Sequence, residues 1–421
     1  MRHVPLRVIQ RHSPHFRIFD SYSGHPGPFF CTKLVELTLR RQIHLPGEHI
    51  SLETERDLIR ANPNIKSLLW FGPRPPIALD VRDLIGLETV EHVQLHHWIG
   101  SNGCLARALK TLARSVVSLE LLWIFGLTAD DFLDPYGSDD EATAGSISNQ
   151  GVGAVVDIAP RRRLVLPLVT KLTCTLRYEG FRELQGIIGC CPNVIELIIN
   201  PDIYVDFDRI ARDIQSNCRK VQALTLEYLA LHSSHCEQLV SSCRASGLVK
   251  LDVVLRGMEE SLVLAILAHA STLQTLTLSL QSFEYPTSHG LMRLLRHCVQ
   301  LKALRLKLNF LPPTGTILEV LRSGPWGCLL LETLQLGTRT QPADTESDRA
   351  GDREEEEDIE ALKSMSSDSA AMGWYRREAD RDAWGTEVGV DATSLRKVLK
   401  MVEPLQQLKS LTWNHSELYR P

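Results

Sequence analysis

Leu273-Gln274-Thr275-Leu276-Thr277-Leu278 and, 28 residues later, Leu301-Lys302-Ala303-Leu304-Arg305-Leu306 share one pattern: apolar, two variable, apolar, one variable, apolar. Clear copies also begin at Val194, Val221 and Leu331, fair ones at Leu34, Leu248 and Leu408, weaker ones at Ile65, Val90, Val116 and Val169. That makes twelve, and Phe16 to Phe19 reads as a degenerate thirteenth. Outside two long gaps the starts are 25 to 31 residues apart. One match would carry no information, but twelve in near-register identify a repeat architecture.

The last two apolar residues of each copy alternate with variable ones at period two, as in a half-buried strand. Between copies the period changes. Leu291, Leu294, Leu295 and Cys298 follow helical spacing, as do Leu262, Ala265 and Ile266 up to His269, and Leu239, Val240 and Cys243. Each unit is therefore expected to be strand, loop, helix. One unit cannot bury its own apolar face, whereas stacked units form a continuous core. Strands joined by crossover helices must run parallel.

A cysteine stands three residues before the first apolar position in several copies: Cys31, Cys191, Cys218, Cys298 and Cys328. Phrases such as Cys191-Pro192-Asn193-Val194 and His297-Cys298-Val299-Gln300-Leu301 accompany it. On these residues the chain resembles ribonuclease-inhibitor-like leucine-rich repeats, most of all those that follow the F-box in fungal F-box/leucine-rich-repeat proteins. The resemblance covers roughly residues 15 to 415. It implies an α/β leucine-rich-repeat solenoid of about twelve to thirteen repeats, with parallel strands on the concave face and helices on the convex face. It also implies substrate recognition in ubiquitin-ligase targeting. Shorter extracellular repeats carry Asn at the ninth position, which here only Asn309 does. No F-box is legible, since Met1 to Phe30 already read as repeat material. Skp1–cullin machinery is thus an expected partner only if an F-box is supplied upstream.

Five segments are expected. Residues 1–127 hold N-terminal repeats, 164–338 central repeats, and 387–421 a C-terminal helix (Ser394 to Val402, capped by Asp391) with the last repeat. Residues 128–163 and 339–386 read as insertions: acidic, rich in Gly and Ser or in Glu, and too poor in apolar surface to order themselves. Residues 343 to 386 carry 14 acids against 6 bases, and 129 to 144 carry 6 acids and no base. Setting these aside turns the chain's net charge of −5 into +9 for the remainder.

Composition narrows the function. With 43% hydrophobic and 23% charged residues the chain can build a large core, and a pI near 6.3 argues against a general nucleic-acid binder. The longest apolar run, Leu262 to Ala268, is too short for a bilayer. Met1 to Phe19 lacks the apolar stretch of a secretory signal. Ten cysteines in 421 residues do not make a disulfide scaffold, so reduced thiols in the cytoplasm or nucleus are expected. The thiols lack paired metal-ligand spacing and read as core residues. Phosphate-loop, dinucleotide, metalloprotease and nucleophile-elbow motifs are missing. His92, His96 and His97 cluster without a nucleophile or carboxylate in a named arrangement. Neither enzyme activity nor a cofactor is expected.

The variable residues of each strand should point to the concave side and bind a protein. The candidates are Arg40, Leu69, Phe71, His92, Gln94, His96, Lys171, Glu196, Asn200, Glu227, Lys250, Asp252, Arg305 and Lys307. Leu69 and Phe71, flanking Trp70, are the apolar anchors among them. The mixed chemistry suits a protein rather than a polyanion. The alternative is a stand-alone regulator or inhibitor of another enzyme, in the manner of ribonuclease inhibitors or leucine-rich GTPase activators.

Overall fold

A computed structural model describes residues 18–20, 33–39, 52–73, 76–79, 82, 84, 87–100, 103–127, 132, 164–176, 186–201, 205–281, 287–308, 326–338, 410–413 and 416–419. The chain is α/β. Its strands are β1 (Ile18–Asp20), β2 (Glu36–Leu39), β3 (Ser67–Phe71), β4 (His92–Ile99), β5 (Ser118–Phe125), β6 (Lys171–Leu176), β7 (Glu196–Pro201), β8 (Ala223–Leu231), β9 (Lys250–Leu255), β10 (Thr275–Leu280), β11 (Ala303–Leu308), β12 (Thr333–Thr338), β13 (Ser410–Trp413) and β14 (Ser416–Tyr419). Each of the twelve quoted stretches contains a strand that starts two residues after its first apolar position. β1 occupies the expected degenerate copy. β14 was not foreseen.

The described residues fall in two compact units, Met1–Leu229 with His235–Asp252 and Ala230–Ser234 with Val253–Pro421. In the first, β1 to β8 follow chain order and every neighbouring pair is parallel. In the second, β10 to β13 do the same, and β14 returns antiparallel on β13. Among the described residues of each unit the strand order is linear.

Register explains the core. In the first unit Leu37, Leu68, Val93, Leu119, Leu172, Leu197 and Leu224 stand side by side, each at most 1% exposed. Leu39, Trp70, Leu95, Leu121, Cys174, Ile199 and Leu226 form a second buried row. In the second unit Leu276, Leu304 and Leu334 repeat the arrangement. Burying each such side chain contributes about 1.5–3 kcal/mol.

A backbone device recurs with the strands. The amides of Lys66 and Ser67 both donate to the Val35 carbonyl, and those of Glu91 and His92 to that of Lys66. Val117 and Ser118 then donate to Glu91, Thr170 and Lys171 to Val117, and Ile195 and Glu196 to Thr170. In the second unit Lys302 and Ala303 donate to Gln274, and Glu332 and Thr333 to Lys302. Each strand's entry is thus pinned to its predecessor at the same position of the pattern.

Six helices are described: α1 (Leu52–Arg60), α2 (Cys104–Leu112), α3 (Phe207–Asn217), α4 (Ser233–Ser242), α5 (Glu260–Leu267) and α6 (Thr287–His297). The three helical patterns read from the sequence correspond to α4, α5 and α6. α2 buries Leu105, Ala106, Ala108, Leu109 and Leu112 along one stripe. α3 is preceded by Asp206, whose carboxylate accepts from the Arg209 amide at 2.9 Å and so caps the helix. Among the described residues no helix is long and apolar enough to cross a membrane. The insertion 339–386 and the expected helix Ser394 to Val402 lie outside the described residues, as does nearly all of 128–163.

Candidate binding face on the sheet

The residues between the core rows form a second set of rows on the opposite side of each strand. In the first unit one row runs Ser67, His92, Ser118, Lys171, Glu196, Ala223. The next runs Leu69, Gln94, Glu120, Thr173, Ile198, Thr225. Beyond it Phe71 pairs with His96 and His96 with Leu122, while Thr175 pairs with Asn200. The geometry therefore joins Leu69, Phe71, His92, Gln94, His96, Lys171, Glu196 and Asn200 on one face. His92 is exposed, while Leu69, Phe71, Gln94, Lys171, Glu196, Glu227, Lys250 and Asp252 are partly buried. Lys171 Nζ and Glu196 Oε2 form an ion pair at 3.3 Å. Arg305 and Lys307 are exposed on β11, in the second unit. Arg40 lies outside the described residues.

Two candidates differ from expectation. His96 and Asn200, read as exposed, are only 6% and 5% exposed. Parallel strands stand roughly 4.8 Å apart, so neighbours on both sides shade a short side chain. Thr173, Thr175 and Thr225 are buried on the same face for that reason. The Asn200 amide donates to Thr175 Oγ1 at 3.3 Å, but Asn200 Oδ1 and Thr225 Oγ1 have no hydrogen-bond partner.

The burial of His96 has a more particular cause. His97 and Trp123 adopt left-handed backbone conformations, with φ of 60° and 53°. They occupy equivalent positions: His96 pairs with Leu122 before them, and Trp98 with Ile124 after them. The two adjacent strands kink together. The kink shifts the alternation, so the buried apolar residues of β4 are Val93, Leu95 and then Trp98, and those of β5 are Leu119, Leu121 and then Ile124. Trp98, fully buried, donates from Nε1 to the Trp70 carbonyl at 3.1 Å, and its ring meets that of Trp70 edge-on at 4.4 Å. Trp70 Nε1 in turn donates to Glu55 Oε2 at 3.0 Å. The Gly72 amide donates to the His96 carbonyl at 2.7 Å, holding the end of β3 against the kink. Left-handed conformations cost an L residue about 1–2 kcal/mol each and gather at functional sites.

On the other side of the kink lies an aromatic surface. Phe71 and His96 are 4.3 Å apart, His97 stacks on Trp123 at 4.6 Å, and His96 meets Trp123 edge-on at 6.1 Å. Glu120, 26% exposed at its side chain, brings Oε1 to 3.3 Å from His96 Nε2. That distance is an ion-pair contact without hydrogen-bond alignment, and neither ring nitrogen of His96 makes a hydrogen bond. The sequence reading nominated Phe71 and His96 but not His97, Glu120, Leu122 or Trp123. The available signal was the apolar spacing of two and then three in Val93, Leu95, Trp98 and again in Leu119, Leu121, Ile124.

Eight of the nine described cysteines are buried, and none is in a disulfide. Desolvation pushes the Cys174, Cys236, Cys243 and Cys298 thiols up to about 12 and that of Cys328 to about 11. Among the described residues no group of three or more His, Cys, Asp or Glu is placed to hold a metal ion. No known family's model matches the chain, and no curated protein matches its sequence.

Proposed function

We propose that the chain is a leucine-rich-repeat solenoid whose strand face binds a protein partner without catalysis. The observation that carries this reading is a set of buried polar atoms lacking partners on one face. They are both ring nitrogens of His96, Asn200 Oδ1 and Thr225 Oγ1. Folded chains satisfy nearly all such groups, and each one left unmade costs about 1–3 kcal/mol. A partner seated on the face supplies the missing bonds. The half-buried rings of Phe71 and Trp123 beside His96 provide the kind of anchor that dominates interface energies.

Within that function, the chain is the substrate-recognition part of an F-box-type ubiquitin-ligase adaptor, supported by the cysteine position and the phrases around it. A stand-alone regulator of another enzyme is the second reading. The test is affinity purification of the tagged chain from its own cell extract, in parallel with Phe71→Ala and Trp123→Ala variants whose melting curves establish folding. Skp1 and cullin together with a further protein support the adaptor. One reproducible protein without them supports the regulator. In both cases the partner should be lost from the folded variants. Retention by both variants would overturn the assignment of the face.

A further inference from the structure

We propose that the kinked surface recognises an arginine side chain of the partner, seated against the aromatic rings with its guanidinium on Glu120. The inference rests on the assignment of this face as the partner-binding one and deepens it. Three observations carry it.

The first is charge. Glu120 is partly shielded from solvent, and among the described residues its only ionisable contact is His96. Lys171 stands beside Ser118, one step along the same face, but it gives its ammonium to Glu196. Among the described residues the carboxylate thus has no lysine or arginine partner, and it is open enough for a partner's cation to reach it. The second is the enclosure. The His96 ring that Glu120 meets is itself in contact with Phe71 at 4.3 Å and with Trp123 at 6.1 Å, and cations bind aromatic faces, most strongly that of Trp. A guanidinium fits better than an ammonium, because it is planar, stacks on rings and presents a fork that a carboxylate accepts in bidentate fashion. The third is the orphaned imidazole. A neutral histidine has one acceptor nitrogen and one donor nitrogen. His96, buried and without hydrogen bonds, can accept an N–H that the Glu120 oxygens leave over. The paired left-handed residues His97 and Trp123 hold these groups in place, which is where stored backbone strain is expected.

The test uses the full chain labelled with 5-fluorotryptophan and followed by fluorine NMR. Trp123 is one of seven tryptophans, and Trp123→Phe assigns its line. The probes are the peptide Ac-Gly-Arg-Gly-NH2, its neutral citrulline counterpart, and the lysine counterpart. The arginine peptide should move the Trp123 line saturably at roughly millimolar concentration, as suits a single side chain. The citrulline peptide should leave it in place. Glu120→Gln should weaken the arginine response roughly tenfold or more, with the other tryptophan lines unmoved as the control for folding. An equal response to citrulline, or to lysine, overturns the guanidinium assignment. So does a Trp123 line that no peptide moves. If the captured partner still depends on Phe71 and Trp123 in that case, the face assignment stands and the arginine reading alone is lost. If the partner ignores those residues as well, both are lost.

Discussion

Cys218 illustrates what a single position of the pattern does. Its thiol donates to the Ile188 carbonyl at 2.9 Å and approaches the Cys191 carbonyl at 3.4 Å, so it fastens one turn to the preceding one. Asn62 occupies the equivalent position three residues before Ile65. It does the same with an amide, donating to the Leu58 carbonyl at 2.8 Å and accepting from the Leu34 amide at 2.9 Å. A buried turn must satisfy its backbone groups, and either side chain supplies the bonds. Elsewhere the thiols matter through burial. Desolvation raises Cys174, Cys236, Cys243 and Cys298 from an ordinary value near 9 to about 12. In that window the unfolded chain has released protons that the folded chain keeps. Stability is therefore fully present below pH 9 and falls as pH rises toward 12. Denaturant midpoints measured from pH 8 to 11 should drop steeply, and a Cys236→Ala variant should drop less steeply. Identical slopes for the two proteins would show that this thiol is not protected.

Gly72 controls the kinked elements. A Cβ at this position would lie 2.2 Å from the His97 carbonyl oxygen, a backbone atom that cannot swing aside. Gly72→Ala should therefore cost about 1–3 kcal/mol, as forced overpacking does, and should weaken partner retention by shifting His96 and His97. At Gly257 the nearest atom to a new Cβ is Thr287 Oγ1 at 3.7 Å, so Gly257→Ala is the matched control and should melt close to the parent. Equal melting temperatures for the two variants would contradict this account of the kink. Most of the strands and three of the six described helices were legible in the sequence. The pattern located twelve strand starts, and helical spacing located α4, α5 and α6. Period-two alternation separated core from face in β2, β3 and β9. The rule failed where two neighbouring strands share a left-handed residue. Neither His nor Trp announces that conformation as Gly does, so alternation carried through His96 assigned it to the solvent. Half of the aromatic site was missed for that reason. β14 was missed because Ser416–Tyr419 is a short antiparallel return with no copy of the pattern to mark it.

At the scale of the whole molecule the parallel order has a thermodynamic consequence. Among the described residues of each unit a strand hydrogen-bonds to the strands before and after it in the chain. The buried rows likewise link each copy to its immediate neighbours. The proposed repeat solenoid is therefore expected to behave as a one-dimensional chain, in which stability is a sum of local terms and nearest-neighbour interfaces. A cavity made in one copy should loosen its neighbours and fade with distance along the order, rather than unfold the molecule as a single domain would. Leu119 lies in the middle of the first unit, 1% exposed, and Leu334 lies in the second, fully buried. Leu119→Ala should cost about 2–5 kcal/mol locally. Hydrogen exchange followed by mass spectrometry should then show faster exchange in β4, β5 and β6, with β11 and β12 unchanged. Leu334→Ala should give the reverse, speeding β11 and β12 and sparing β4 to β6. Uniform acceleration of every strand by either substitution would mean that the chain unfolds in one cooperative step, and the nearest-neighbour account of its stability would have to be abandoned.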